Sequence, residues 1–190
     1  MKIFFALLVT LFFYSAEIYG QDVPNYTLYL PMTPAQLQEY RQSIWDTLPA
    51  AVGWVNDFEG LFNDEEEKNL EKIVEHFEKK TTIEVAIITV DSNMVALDKF
   101  DDFAYRVLKK WGIGKISKSN GIVICISKDY RRLFVCTDFG IDRYMNSYDK
   151  YKIIKKWFLP SFEKNKYYDG TLNGLNALLE KIMKDWRKDS

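Results

Sequence analysis

The chain predicts an α/β fold: an α/β/α sandwich whose mixed sheet contains a β-hairpin and carries helices on both faces. Three patterns point to it. Ile83 to Val90 is nearly continuous apolar, as a central strand covered on both faces would be. Gly121 to Ser127 and Arg132 to Thr137 form two more apolar strands around a turn at Asp129-Tyr130. Segments with apolar residues at helical spacing flank these strands, giving the order helix, strand, helix, strand, strand, helix, helix.

Taken in order, the chain opens on a targeting segment. Lys2 precedes an apolar run from Ile3 to Phe13, broken only by Thr10, and Ser15, Ala16 and Gly20 supply small residues before Gln21. The run is shorter than the ~20 residues that span a bilayer, so residues 1–20 are read as a signal peptide. Cleavage is expected after Gly20, with Ala16 as the alternative. No other segment is long and apolar enough to span, so the expected product is exported, periplasmic or secreted, with no membrane span after cleavage. Residues 21–52 form an extension containing Pro24, Pro31, Pro34 and Pro49. Within it Pro34 to Leu48 reads as a short helix capped by Thr33, with Leu37, Tyr40 and Ile44 on one face. It either packs on the domain or acts as a spacer.

The domain proper covers residues 53–190. Asn63 caps a helix beginning Asp64-Glu65-Glu66-Glu67, acids where the helix dipole favours them. Leu70, Ile73, Val74 and Phe77 form its apolar stripe, and Lys79-Lys80 its basic end. A second helix follows Asp98, striped by Phe100, Phe103, Ala104, Val107, Leu108 and Trp111 and stopped by Gly112. After the hairpin, Ser147 opens a helix that Pro160 breaks. A last helix runs from about Gly170, with Leu172, Leu175, Leu178, Leu179, Ile182 and Trp186 inward.

Composition narrows the function. With 190 residues, 47% hydrophobic and 16% aromatic, the chain can bury one core. A formal net charge of −1 argues against a nucleic-acid binder working by phosphate neutralisation. Cys125 and Cys136 lie in adjacent strands. A two-residue loop pairs Cys125 with Phe134 and leaves the thiols one diagonal step apart; a four-residue loop sets them opposite. The single histidine, His76, falls on the charged side of its helix with no partner constellation, which disfavours triads and histidine metal sites. No phosphate-cradling or dinucleotide motif is present. Oxygen chemistry remains. Asp57 precedes the first domain helix, Asp138 ends the hairpin and Asp142 follows a glycine turn, and loops at strand ends commonly build sites. Carboxylates and loop carbonyls suit Ca²⁺ or Mg²⁺; equally, aspartates cap turns and helices.

The ordered motifs Val-Asn-Asp-Phe-Glu-Gly-Leu at 55–61, Trp-Gly-Ile-Gly at 111–114, Asn120-Gly121, Phe-Gly-Ile-Asp at 139–142, Pro-Ser-Phe at 160–162 and Tyr-Tyr-Asp-Gly at 167–170 resemble the TPM domain family over about residues 55–182. The resemblance implies an α/β sandwich placed outside the cytoplasm, a divalent-cation site in some members, and a phosphatase activity attributed to plant members. By position it puts metal ligation on Asp57 and Asp142; Asp138, from the residue pattern alone, is the third candidate ligand. Arg131 or Arg132 would face phosphate, and Asn120, Gly121 and Gly140 would line the site. Two places where the family carries Asp hold Ser119 and Ser147 here, which removes negative charge from any cation site. The expected function is therefore an exported, non-catalytic or weakly active accessory module binding a protein partner in the cell envelope, with Ca²⁺ or Mg²⁺ as the implied ion. A metal-assisted phosphomonoester hydrolase is the alternative.

Overall fold

The computed structural model describes residues 31–189; the expected signal peptide and the first part of the extension lie outside them. The chain divides after Met32, and the elements of the sandwich all belong to the unit from Thr33 onward.

Helix α1, Pro34–Asp46, starts in a capping box: the Thr33 hydroxyl accepts from Gln36 N–H while the Gln36 side chain accepts from Thr33 N–H. It packs on the domain. Ile44, Trp45 and Leu48 reach the core beside the helix Phe100–Lys110 (α3), whereas Tyr40 is exposed. Arg106 on α3 donates to the Trp45 carbonyl (2.7 Å), and the Trp111 indole donates to that of Pro49 (3.0 Å).

Four strands make one sheet in the order β1 (Val55–Asp57), β2 (Glu84–Thr89), β3 (Gly121–Ser127), β4 (Arg132–Thr137). The first three run parallel and β4 returns antiparallel, so the sheet is mixed. β1 adds a fourth strand to the three that the sequence predicts. β1 is too short, and its Asn and Asp too poor as strand formers, to announce itself. Glu71 holds it in place from α2 (Asp64–Thr81), its carboxylate accepting from Trp54 and Val55 N–H, both at 2.8 Å.

Alternation along the strands sorts side chains onto two faces. Val85, Ile87, Ile122, Ile124 and Val135 meet Leu70, Val74 and Phe77 of α2 and Leu175, Leu178 and Ile182 of α6 (Tyr167–Asp189). Ala86, Ile88, Val123, Cys125 and Cys136 meet Phe100, Phe103 and Val107 of α3. Each large side chain so enclosed contributes about 1.5–3 kcal/mol. This is the expected sandwich with helices on both faces.

The hairpin takes the two-residue loop: Arg131 N–H donates to the Lys128 carbonyl (3.0 Å), and Cys125 pairs with Phe134 while Cys136 pairs with Val123. Both cysteines are free and buried, and burial pushes the Cys136 thiol up to about 12.

Three details of the helices differ from expectation. Asn146, not Ser147, caps α4 (Ser147–Ile153), its side chain accepting from Tyr148 (2.9 Å) and Asp149 (3.0 Å). Pro160 does not break the helix. A π turn over Ile154–Phe158, with Leu159 N–H reaching Ile154, leads into α5 (Leu159–Phe162), where a missing N–H is tolerated near the start. The last helix begins at Tyr167, three residues before Gly170.

The tightest backbone packing lies at the start of β3. A Cβ on Gly121 would come within 3.0 Å of the Ile113 carbonyl, and one on Gly140 would do so with the carbonyls of Lys118 and Ser119. Gly60, with φ +67, faces open space. Gly140→Ala is therefore expected to cost about 3 kcal/mol by overpacking against backbone, and Gly60→Ala only about 1 kcal/mol of backbone strain. Urea unfolding of the two variants checks the order.

Candidate functional site

The parallel strands give the sheet two chemically different ends, and the expected site residues divide between them. Asp57, Thr89 and Ile126 are in register at the C-terminal end, whereas Glu84 pairs with Gly121 at the N-terminal end. Five residues of β3 separate the ends, about 17 Å at the rise of a strand.

At the C-terminal end stand Asp57, Arg131 and Arg132. The Asp57 carboxylate accepts from Phe62 N–H (2.7 Å) and, in a short bond, from the Thr89 hydroxyl, fixing the turn between β1 and α2. The Thr89 oxygen accepts Glu59 N–H (2.9 Å). Glu59 then reaches the hairpin turn and accepts from Lys128 (2.8 Å) and Asp129 (2.9 Å) N–H. Asp129 accepts from the backbone (3.0 Å) and hydroxyl (2.6 Å) of Ser92, whose carbonyl accepts from Arg41 of α1. One chain of hydrogen bonds thus joins three loops and the helix α1. Arg132 is turned away, paired with Asp101 (2.8 Å) and lying over the Phe100 ring; Arg131 is exposed, with φ +48. Sequence reasoning missed Glu59, Thr89 and Glu67. Burial, then repulsion from Asp57, raises the Glu67 carboxyl above its ordinary value.

At the N-terminal end stand Asn120, Gly121, Asp138, Gly140 and Asp142. Asn120 is buried and joins two loops, accepting from Lys115 N–H and donating to the Thr82 carbonyl, both at 2.7 Å. Gly140 N–H donates to the Ser119 carbonyl (2.8 Å), and Asp138 N–H to that of Gly121 (2.9 Å). The Asp138 carboxylate pairs with Lys109; Asp142 is exposed. Glu84, also missed, accepts from Gly114 N–H (2.7 Å) and the Lys115 ammonium (2.5 Å). Its signal was a lone acid within the apolar run of β2. Ser119 sits at φ +46, a region in which Asp and Asn are enriched. The Asp expected from the family resemblance therefore has a backbone reason to be there, besides any ligand role. A cavity of about 330 Å³ at this end is lined by Lys118, Asn120, Gly140 and Arg143, with no carboxylate among its described lining residues.

The donor set does not fit one shared cation. Asp57 lies about 17 Å from the end that carries Asp138 and Asp142, while a calcium ion holds its oxygens at about 2.3–2.6 Å. Among the described residues, no three His, Cys, Asp or Glu side chains gather as a metal group. His76 is exposed on α2, as expected. No described helix is long and apolar enough to cross a membrane.

Two carboxylates of the loop network respond to pH in opposite senses. The Ser92 hydrogen bonds hold Asp129 below its ordinary 3.8, so its contribution to stability is present above about pH 4 and lost as pH falls through the lower folded value. Desolvation foremost raises Glu59 above 4.5, so the stability it lends is complete below that value and lost as pH rises through the folded one. Urea titrations across pH are expected to show a shallower acid limb in Asp129→Asn and a smaller decline above pH 4.5 in Glu59→Gln.

Comparison with known proteins agrees with this architecture. The chain is similar, at 22% identity and a TM-score of 0.64, to the N-terminal domain of a protein from P. gingivalis, covering 70% of this chain and 84% of that one. Its similarity to the BA42 protein of Bizionia argentinensis is 20% identity with a TM-score of 0.57, covering 70% and 90%. For the N-terminal domain of the cg2496 protein from Corynebacterium glutamicum the values are 10% and 0.51, covering 74% and 82%. At these identities the likeness is one of fold. No curated protein matches the chain. The TPM domain model matches residues 55–181, from the first strand into the last helix, and the chain belongs to the TPM domain family.

Proposed function

We propose that this TPM domain is a non-catalytic accessory module that works outside the cytoplasm by binding a protein partner in the cell envelope. One observation supports the reading above others: Asp57, Glu59, Gly121 and Gly140 of the motifs are occupied in holding loops. Asp57 and Glu59 accept backbone N–H groups and Gly121 and Gly140 allow backbones to cross, so the residues most suggestive of chemistry have structural duties. A phosphatase needs a metal clamp, a nucleophile or strong cationic stabilisation of the transferring group. Arg132 is committed to Asp101, and Arg131 stands exposed at the hairpin turn. The extracytoplasmic placement rests on the N-terminal pattern of Lys2 and the apolar residues 3–13.

Ca²⁺ enters as a weak modulator at most. Asp57 and Glu67 are two carboxylates, against the about six to eight oxygens that calcium takes. Calcium titration followed by NMR is expected to move amides near 57–67 only on the order of millimolar concentrations, the range of weak extracellular sites. Turnover of p-nitrophenyl phosphate with Mg²⁺ or Ca²⁺ is expected to be the same in wild type, Asp57→Asn and Asp142→Asn. Metal-dependent turnover that either substitution abolishes overturns the reading in favour of the hydrolase.

A further inference from the structure

The segment from α4 through the π turn, Ser147-Tyr148-Asp149-Lys150-Tyr151-Lys152-Ile153-Ile154-Lys155-Lys156-Trp157-Phe158, has two chemically different sides. Its inward side is apolar: Phe158 is fully buried, and Ile153 and Ile154 pack on the core. Its outward side carries three large aromatics open to solvent, Tyr148 at 63% exposure, Tyr151 at 57% and Trp157 at 41%. Each has a lysine ammonium over its ring: Lys152 at 4.2 Å from the Tyr148 centroid, Lys155 at 5.9 Å from Tyr151 and Lys156 at 4.9 Å from Trp157. The segment holds four lysines and one aspartate, a formal +3 in a chain whose total is −1. The aspartate does not neutralise the outer face, because Asp149 pairs with Lys181 of α6 at 3.4 Å. Lys150 is turned aside to the Thr137 hydroxyl (2.9 Å).

Residue chemistry selects the partner. Exposed aromatic rings leave apolar surface in water, so three of them within one short segment call for a surface to meet. Tyr and Trp, with apolar rings and polar tips, suit the boundary between water and lipid. Lysines there are compact, strongly hydrated charges on flexible stems, matched to a diffuse anionic field; guanidinium forks, better at reading the fixed carboxylates of a protein, are absent from the segment. Lysine stems can also lie along the rings while their ammonium groups reach lipid phosphates. The π turn adds a local reason for interest, since such turns occur frequently at functional sites.

We propose that the outward face of residues 148–157 docks the domain on an anionic phospholipid bilayer, with Tyr148, Tyr151 and Trp157 at the headgroup level and Lys152, Lys155 and Lys156 against lipid phosphates. The inference is independent of the accessory-module reading: the face would dock a catalytic domain equally well. It is peripheral binding, with the helix still packed on its own core.

Co-sedimentation of the full chain with phosphatidylglycerol and with phosphatidylcholine vesicles tests it, each variant being compared with wild type so that the shared N-terminal segment cancels. Wild type is expected to prefer phosphatidylglycerol vesicles, and the preference should shrink with added salt. K152Q/K155Q/K156Q is expected to lower that affinity about a hundred-fold, roughly five-fold per lysine. Y148S/Y151S/W157S should weaken binding to the same vesicles while leaving the salt dependence, and K79Q/K80Q on α2 should bind as wild type. All six substitutions on the face are exposed, so thermal unfolding should be unchanged. Equal binding to both vesicle types, or a lysine variant that binds like wild type, overturns the proposal. Retention of the wild type on immobilised poly-glutamate together with indifference to vesicles overturns it in favour of an acidic protein surface.

Discussion

At the start of β3, three stretches of backbone cross with no side chain between them, and the rest of the sheet is arranged around that crossing. The loop leaving α3 passes Ile113 and Gly114 against Gly121, and the turn after β4 lays Gly140 on the carbonyls of Lys118 and Ser119. A Cβ at any of these glycines would meet backbone, which cannot swing aside as a side chain can. The crossing fixes where β3 begins and hence its register with β2, and it brings β4 back beside the loop from which β3 emerged. Glu84 and Asn120 complete it, satisfying the amides of Gly114 and Lys115 that the crowded backbone would otherwise bury without partners.

A second set of polar contacts holds the opposite end. There the relay of Asp57, Thr89, Glu59, Asp129, Ser92 and Arg41 runs from β1 to α1, and each carboxylate replaces water at backbone N–H groups that no strand or helix satisfies. The two ends differ in balance: one brings backbones together at glycines and caps the crowded amides with Glu84 and Asn120, the other relies on acidic and hydroxyl side chains. Both explain why the TPM motifs couple glycines with acids without requiring a reaction at either place. A fold of this kind can serve many functions, and function is carried by what the surface presents.

Most of the architecture was legible in the sequence because its signals are local. The Asn63 cap with four acids behind it, the Thr33 cap and the apolar runs of β2, β3 and β4 all mark their elements within a few residues. β1 was not legible, since three residues held by Glu71 from another helix leave no periodic trace. Nor was the path through Pro160, which follows a π turn and sits in the first turn of α5, where a missing N–H is tolerated. The grouping of site residues was the least legible feature. Asp57 and Asp142 look alike in sequence, but which end of the sheet a loop occupies depends on strand direction. With β1 unrecognised, nothing local said that Asp57 belongs with Thr89 and the hairpin turn while Asp142 belongs with Gly121 and Gly140.

The strand-end residues, on this view, hold closed loops rather than an open site awaiting a ligand. Amide hydrogen exchange on the ligand-free protein tests that most directly. The N–H groups of Phe62, Gly114, Lys115, Lys128 and Asp129, all in loops, are expected to exchange nearly as slowly as those of Ile87 and Ile124 in the central strands. Exchange of these loop amides at the rates of unprotected backbone, with strand amides slow, would contradict it.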